Sequence, residues 1–182
     1  MCAATSETAA SETAASDGNG GELDAQDAAG DVQDAARWVA GTLERLSRSD
    51  FRAKFTLSDK DRAYARAKGR AAIDRHAREM LRARVGAAFP EHDGRQTPWR
   101  GHPVFTAQHA TACCCRGCIA KWHRIPKGRP LSDGEIDRLA GLVMAWIERD
   151  LAAHPATRTR VEPDGKQASA PESRYVQGSL LA

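Results

Sequence analysis

Residues 131–151 read LSDGEIDRLAGLVMAWIERDL, and the spacing of their apolar side chains sets the expected fold. Ile136, Leu139, Val143, Trp146 and Ile147 recur at steps of three and four, the period that lines one face of an α-helix. Ser132, followed three positions later by Glu135, has the pattern of a capping box, in which the two residues satisfy each other's backbone N–H groups at the first turn. Such an amphipathic helix draws its stability from packing its stripe against partners.

Three other segments offer matching stripes. In RAAIDRHAREMLRARV (70–85), Ile73, Ala77, Met80, Leu81 and Val85 share a face and arginines occupy the others. SDKDRAYARAK (58–68) opens on Ser58 with Asp61 three residues on, close to a capping box, and stops at Gly69, a residue suited to the turn after a helix. AARWVAGTLERLSR (35–48) places Trp38, Val39, Leu43 and Leu46 on one stripe. Only FRAKFTL (51–57) alternates with the two-residue period of a strand, which predicts at most one small strand pair. The expected fold class is mainly α: one helical domain over residues 36–153 with a long Cys/His-rich connecting segment.

The flanks read differently. Residues 1–35 repeat SETAA, carry eight acids and no Lys or Arg, and have little to bury, so a disordered acidic tail is expected. Residues 154–182 lack periodicity and hold three prolines, the pattern of a flexible C-terminal tail. Nowhere do about 18 apolar residues run together, so no membrane span is expected. The N-terminus lacks the basic start and apolar core of a secretory signal. The chain has five cysteines, four of them between 113 and 118, which is no disulfide framework; a reducing cytoplasm is the expected location.

The net charge of +3 conceals an asymmetry, because residues 52–130 hold 18 Lys/Arg against six Asp/Glu. A basic domain behind an acidic tail suits nucleic acid or another anionic ligand, with the tail competing for the same surface. The plainer reading is an arginine-rich solvated face.

The chemistry concentrates in FPEHDGRQTPWRGHPVFTAQHATACCCRGCIAKWHRIPKGRP (89–130), too long for a structureless loop in a compact domain. Pro103 suits the first position of a short helix, and a second is expected from about Arg116 to before Pro126. The cluster proper spans 102–123. Cys115 and Cys118 form a C-x-x-C pair, half of a tetrahedral zinc site; Cys114, His109 and His123 are the near candidates for the rest. On a helix, Cys114 and Cys118 share a face, whereas His123 joins only if the helix ends there. His102 and His109 lie about 10 Å apart along a helix axis, so both cannot bind one ion. Were the metal catalytic, His102 or His76 would transfer the proton.

Competing readings are a thiolate activated by neighbouring bases for redox chemistry, inert buried thiols, and an iron–sulfur cluster, whose ligand spacings this run does not match. Arg116, Lys121, Arg124 and Lys127 form a basic rim able to bind an anion. A metal-dependent hydrolase or nuclease acting on a phosphodiester, and a basic nucleic-acid-binding module, follow as alternatives to a zinc-binding protein. Cys118 to Arg124 also fits a phosphate-cradling C-x₅-R spacing, but the intervening IAKWH has no glycine.

The string RGHPVF, QHAT, CCRGC, KWH and IPKG, running from Gln96 through Glu135, resembles the bacterial and phage domain-of-unknown-function family 4186, with similarity extending from about Phe51 to Leu151. In that family's pattern a non-cysteine residue stands where this chain has Cys113, and a glycine often stands where it has Arg124. The resemblance thereby shifts the expected ligand set toward Cys114, Cys115 and Cys118 with His109 and His123. It implies no activity.

Overall fold

The computed structural model describes residues 20–156. Seven helices and no strand occur among them: α1 (Gly20–Ser47), α2 (Asp50–Ala53), α3 (Asp59–Lys68), α4 (Arg70–Val85), α5 (Pro103–Ala110), α6 (Arg116–His123) and α7 (Asp133–Ala153). The mainly helical expectation is met. No helix among the described residues is long and apolar enough to cross a membrane.

The capped segment at 131–151 forms the central helix. Ser132 Oγ accepts from Glu135 N at 3.2 Å and the Glu135 carboxylate accepts from Ser132 N at 2.9 Å, completing the box. Burial follows the stripe: Ile136, Leu139, Leu142, Val143 and Ile147 pack with Ile73, Ala77, Leu81 and Val85 of α4, Val104 and Ala107 of α5, and Ile119 of α6. Each fully buried aliphatic side chain contributes roughly 1.5–3 kcal/mol, so α7 is the element the others assemble on. The arginines opposite the α4 stripe are largely neutralised, with Arg70 on Glu148 at 2.6 Å, Arg82 on Asp133 at 3.0 Å, and Arg78 bridging Asp74 and Asp137.

Gly69 ends α3 and begins α4 at φ +78°, a conformation that side chains other than glycine's seldom tolerate. A buried pair then ties α3 to α7: Arg62 donates to Asp150 at 2.8 Å, and Asp150 also accepts from Leu57 N at 3.1 Å and Thr56 Oγ1 at 2.9 Å.

One expectation needs correction. FRAKFTL is not a strand; its first residues form α2, Lys54 closes that helix in a right-handed conformation, and residues 55–57 link it to Ser58. Its alternation misled at the first turn, where Phe51 is 42% exposed while Arg52 is buried; only Leu57 at its end is a core residue. At the N-terminus, α1 starts at Gly20, well inside the stretch expected to be a tail through residue 35. ELDAQDAAGD has no apolar stripe but many good helix formers, with acids near the positive end of the helix dipole. Residues 1–19 of that expected tail, and 157–182 of the C-terminal one, lie outside the described residues; α7 itself ends at Ala153.

Candidate metal centre

A reversal between α5 and α6 builds the site. Thr111 closes α5 by donating its hydroxyl to Ala107 O at 2.7 Å, and Ala112 then takes a left-handed conformation, φ 57°. The chain doubles back through Cys113 and Cys114 to Cys115, the N-cap of α6, whose sulfur accepts from Cys118 N at 3.4 Å. Thr97 anchors the reversal by donating to Cys114 O at 2.9 Å.

The ligand atoms of Cys114, Cys115 and Cys118 all lie within 4.8 Å of one another. Zinc–sulfur bonds of about 2.3 Å ask for sulfurs roughly 3.8 Å apart, so this trio is close to a metal-binding spacing. Cys114 and Cys115 are buried and Cys118 is partly so. All three thiols are free.

Arg52 completes the arrangement, and nothing in its local sequence pointed to it. Its guanidinium donates to Cys118 Sγ at 3.2 Å and to the main-chain oxygen of His109. Hydrogen bonding from Cys114, then from Cys115 and Arg52, outweighs burial and brings the Cys118 thiol down to about 5. Cys114 is pushed up, first by its hydrogen bond to Cys118 and then by burial, and Cys115 rises chiefly through burial. One thiolate among three thiols, beside a fixed cation, is a partly charged site that a divalent ion would deprotonate fully.

Neither expected histidine ligand joins the trio. His109 turns its Nε2 to the carbonyls of Thr97 and Pro98 at 3.2 and 3.3 Å, and its ring stacks on Trp99 at 4.0 Å and 9°. Carbonyls only accept, so that nitrogen carries the proton. His123 lies against α1: its Nε2 donates to Thr111 O at 2.9 Å, and its ring sits 6.0 Å from Trp38. Burial, against an opposing pull from the Thr111 carbonyl, drives it down to about 4, so it stays neutral. Its sulfur neighbour is Cys113, at 3.7 Å, which burial pushes up to about 12.

His102 and His76 are brought together but not to the thiols. His102 caps α5, its Nδ1 accepting from Val104 N at 3.1 Å, and its Nε2 lies 3.2 Å from His76 Nδ1. The cap requires a bare Nδ1, so Nε2 of His102 donates to His76. His102 sits at the start of α5 with His76 of α4 beside it, whereas the thiols follow the end of α5 and gather without either histidine. The expected proton-transfer role at the ion is therefore not supported by their placement.

The basic rim is also divided. Arg116 is fully buried, donating to Pro126 O at 2.7 Å and Arg129 O at 2.9 Å, and so braces the 126–130 loop rather than facing an anion. Lys127 pairs with Asp93 at 2.7 Å. Lys121 and Arg124 stay exposed and, with Arg45 and Trp122, flank a hollow of about 260 Å³.

Helices folded on a capped central helix, with three thiols gathered at one reversal, define an all-helical domain with a cysteine-rich turn. The family described as a domain of unknown function (DUF4186) matches residues 40–148, and the chain belongs to it. No solved structure matches the chain.

Proposed function

We propose that Cys114, Cys115 and Cys118 hold one zinc ion and that the protein is a cytoplasmic zinc-binding protein. The observation that carries this reading is the convergence of three sulfurs within 4.8 Å beside the Arg52 guanidinium. Three thiolates around a divalent cation bear a net charge of −1, which Arg52 balances. The donor set suits zinc, because soft thiolates favour it over magnesium or calcium. With three protein donors, a fourth position remains for water or an incoming ligand, the composition found in catalytic rather than structural sites.

Elemental analysis of the purified reduced protein tests the reading. About one zinc per chain is expected, falling below about 0.2 in Cys114→Ser and in Cys118→Ser. Wild-type protein with less than about 0.2 metal per chain and fully reactive thiols would sink it.

Thiol exchange is a second reading, favoured by the low position of Cys118 with two further sulfurs in reach. It predicts alkylation of Cys118 at pH 6 well ahead of Cys114 and Cys115, and no metal dependence of that rate.

A further inference from the structure

Away from the thiols, Lys54, Phe55, Lys60, Asp61, Trp99 and Arg100 line a cleft of about 830 Å³ between the α2–α3 segment and the 97–101 turn. That is the size of a small-molecule site. Trp99 is 61% exposed, an unusual position for an indole. One of its faces is covered by the parallel His109 ring at 4.0 Å, and Phe55 lies parallel at 6.2 Å. Since His109 is itself held by two carbonyls, the indole rests on a fixed support while most of its own surface stays exposed.

The cleft's cations lack carboxylate partners. The arginines of α4 are largely paired with acids of α4 and α7, and Lys127 and Arg129 have carboxylate partners too. Lys54, Lys60 and Arg100, by contrast, form no ion pair among the described residues. The one carboxylate in the cleft, Asp61, accepts from Ser58 Oγ at 2.8 Å. Three cations without carboxylate partners, one of them also resting on the Phe51 ring at 4.7 Å, line a cleft with an exposed indole, a combination that suits a planar base carrying phosphate.

We propose that this cleft binds a nucleotide unit, its base stacked on the exposed indole of Trp99 and its phosphate neutralised by Lys54, Lys60 and Arg100. The unit can come from a free nucleotide or from a single strand. The inference does not require the metal, so the titrations are run on protein of measured zinc content, with and without chelator treatment.

Fluorescence anisotropy of fluorescein-labelled oligothymidylate, and competition by thymidine 5′-monophosphate, test it. Trp99→Ala is expected to weaken binding about ten- to a hundredfold, with Trp99→Phe close to wild type. Lys60→Gln and Arg100→Gln are expected each to flatten the slope of log affinity against log salt by about 0.7. Tight binding of the oligomer with poor competition by the monomer assigns the cleft to single strands; equal competition assigns it to free nucleotides. Binding of neither probe overturns the proposal, as does wild-type affinity in Trp99→Ala together with an unchanged salt slope in the lysine and arginine variants. Capture of the wild type on phosphatidylserine vesicles, lost in Trp99→Ala while oligothymidylate binding persists, overturns it in favour of a membrane contact. Should Trp99→Ala lose its helical circular dichroism, the two exposed-cation variants decide.

Discussion

Arg52 shows how much one side chain can matter without any local signature. It is separated from Cys118 by 66 residues, yet its guanidinium lies 3.2 Å from that sulfur. Groups that hydrogen-bond to metal ligands typically govern affinity by ten- to a hundredfold. Arg52→Gln is accordingly expected to weaken zinc retention by about that factor, read as faster loss to a chromophoric chelator at equal protein concentration. Retention equal to wild type would remove Arg52 from the centre. The three converging cysteines were legible from the spacing C-C-x-x-C, since neighbouring and one-turn-apart sulfurs meet by local geometry alone. The histidines were not. His109 and His123 each lie five positions from the nearest of these cysteines, and their rings are claimed by backbone carbonyls that the fold delivers.

At the level of elements, caps and reversals are what place the site. α6 begins on Cys115 and ends at Arg124, which sits in a left-handed conformation at φ 60°. That conformation costs an L-residue roughly 1–2 kcal/mol, and glycine escapes it. Arg124→Gly is therefore expected to stabilise the fold by about 0.5–1 kcal/mol after the entropy of the unfolded chain is subtracted. A rise in Tm of a few degrees would register the gain, and a fall would show that the Arg124 side chain contributes more than its backbone strain costs. The helices α3, α4 and α7 were readable because each combines a stripe with a boundary residue. FRAKFTL was misread because two phenylalanines at alternating positions imitate a strand when the arginine between them is the buried residue.

For the whole molecule, the decisive link outside the apolar core is the Arg62–Asp150 pair joining α3 to α7. Burial opposes ionisation of Asp150, but hydrogen bonds from Arg62, Leu57 N–H and Thr56 outweigh it and hold the carboxyl below its ordinary range. Glu135, paired with Arg129, is held at about 2. A depressed carboxyl contributes stability that is present above its unfolded value and lost as pH falls through its folded value. Stability should thus begin to fall below about pH 6.5, where unfolded histidines take up protons that buried His123 does not, and fall more steeply below about pH 4, where unfolded carboxylates do the same. Asp150→Asn, which leaves the buried Arg62 only the exposed Asp59 as an ionic partner, is expected to cost about 2–4 kcal/mol at pH 7 and to flatten the acid decline. Urea midpoints from pH 3 to 7 check both; a variant that loses nothing at pH 7 would show the pair to be energetically idle.

Residue order alone determined the helical class, the stripe of α7, the caps at Ser132 and Ser58, and the three-thiol turn. All of these depend on side chains a few positions apart, whose relative placement follows from backbone period. Only the tertiary structure decided that Arg52 joins the thiols, that His109 backs Trp99 instead of a metal, and that most arginines of α4 find acidic partners while the cations of the Trp99 cleft do not. Those outcomes depend on contacts between segments tens of residues apart, and no local pattern encodes which of many such partners a packed core will bring within reach.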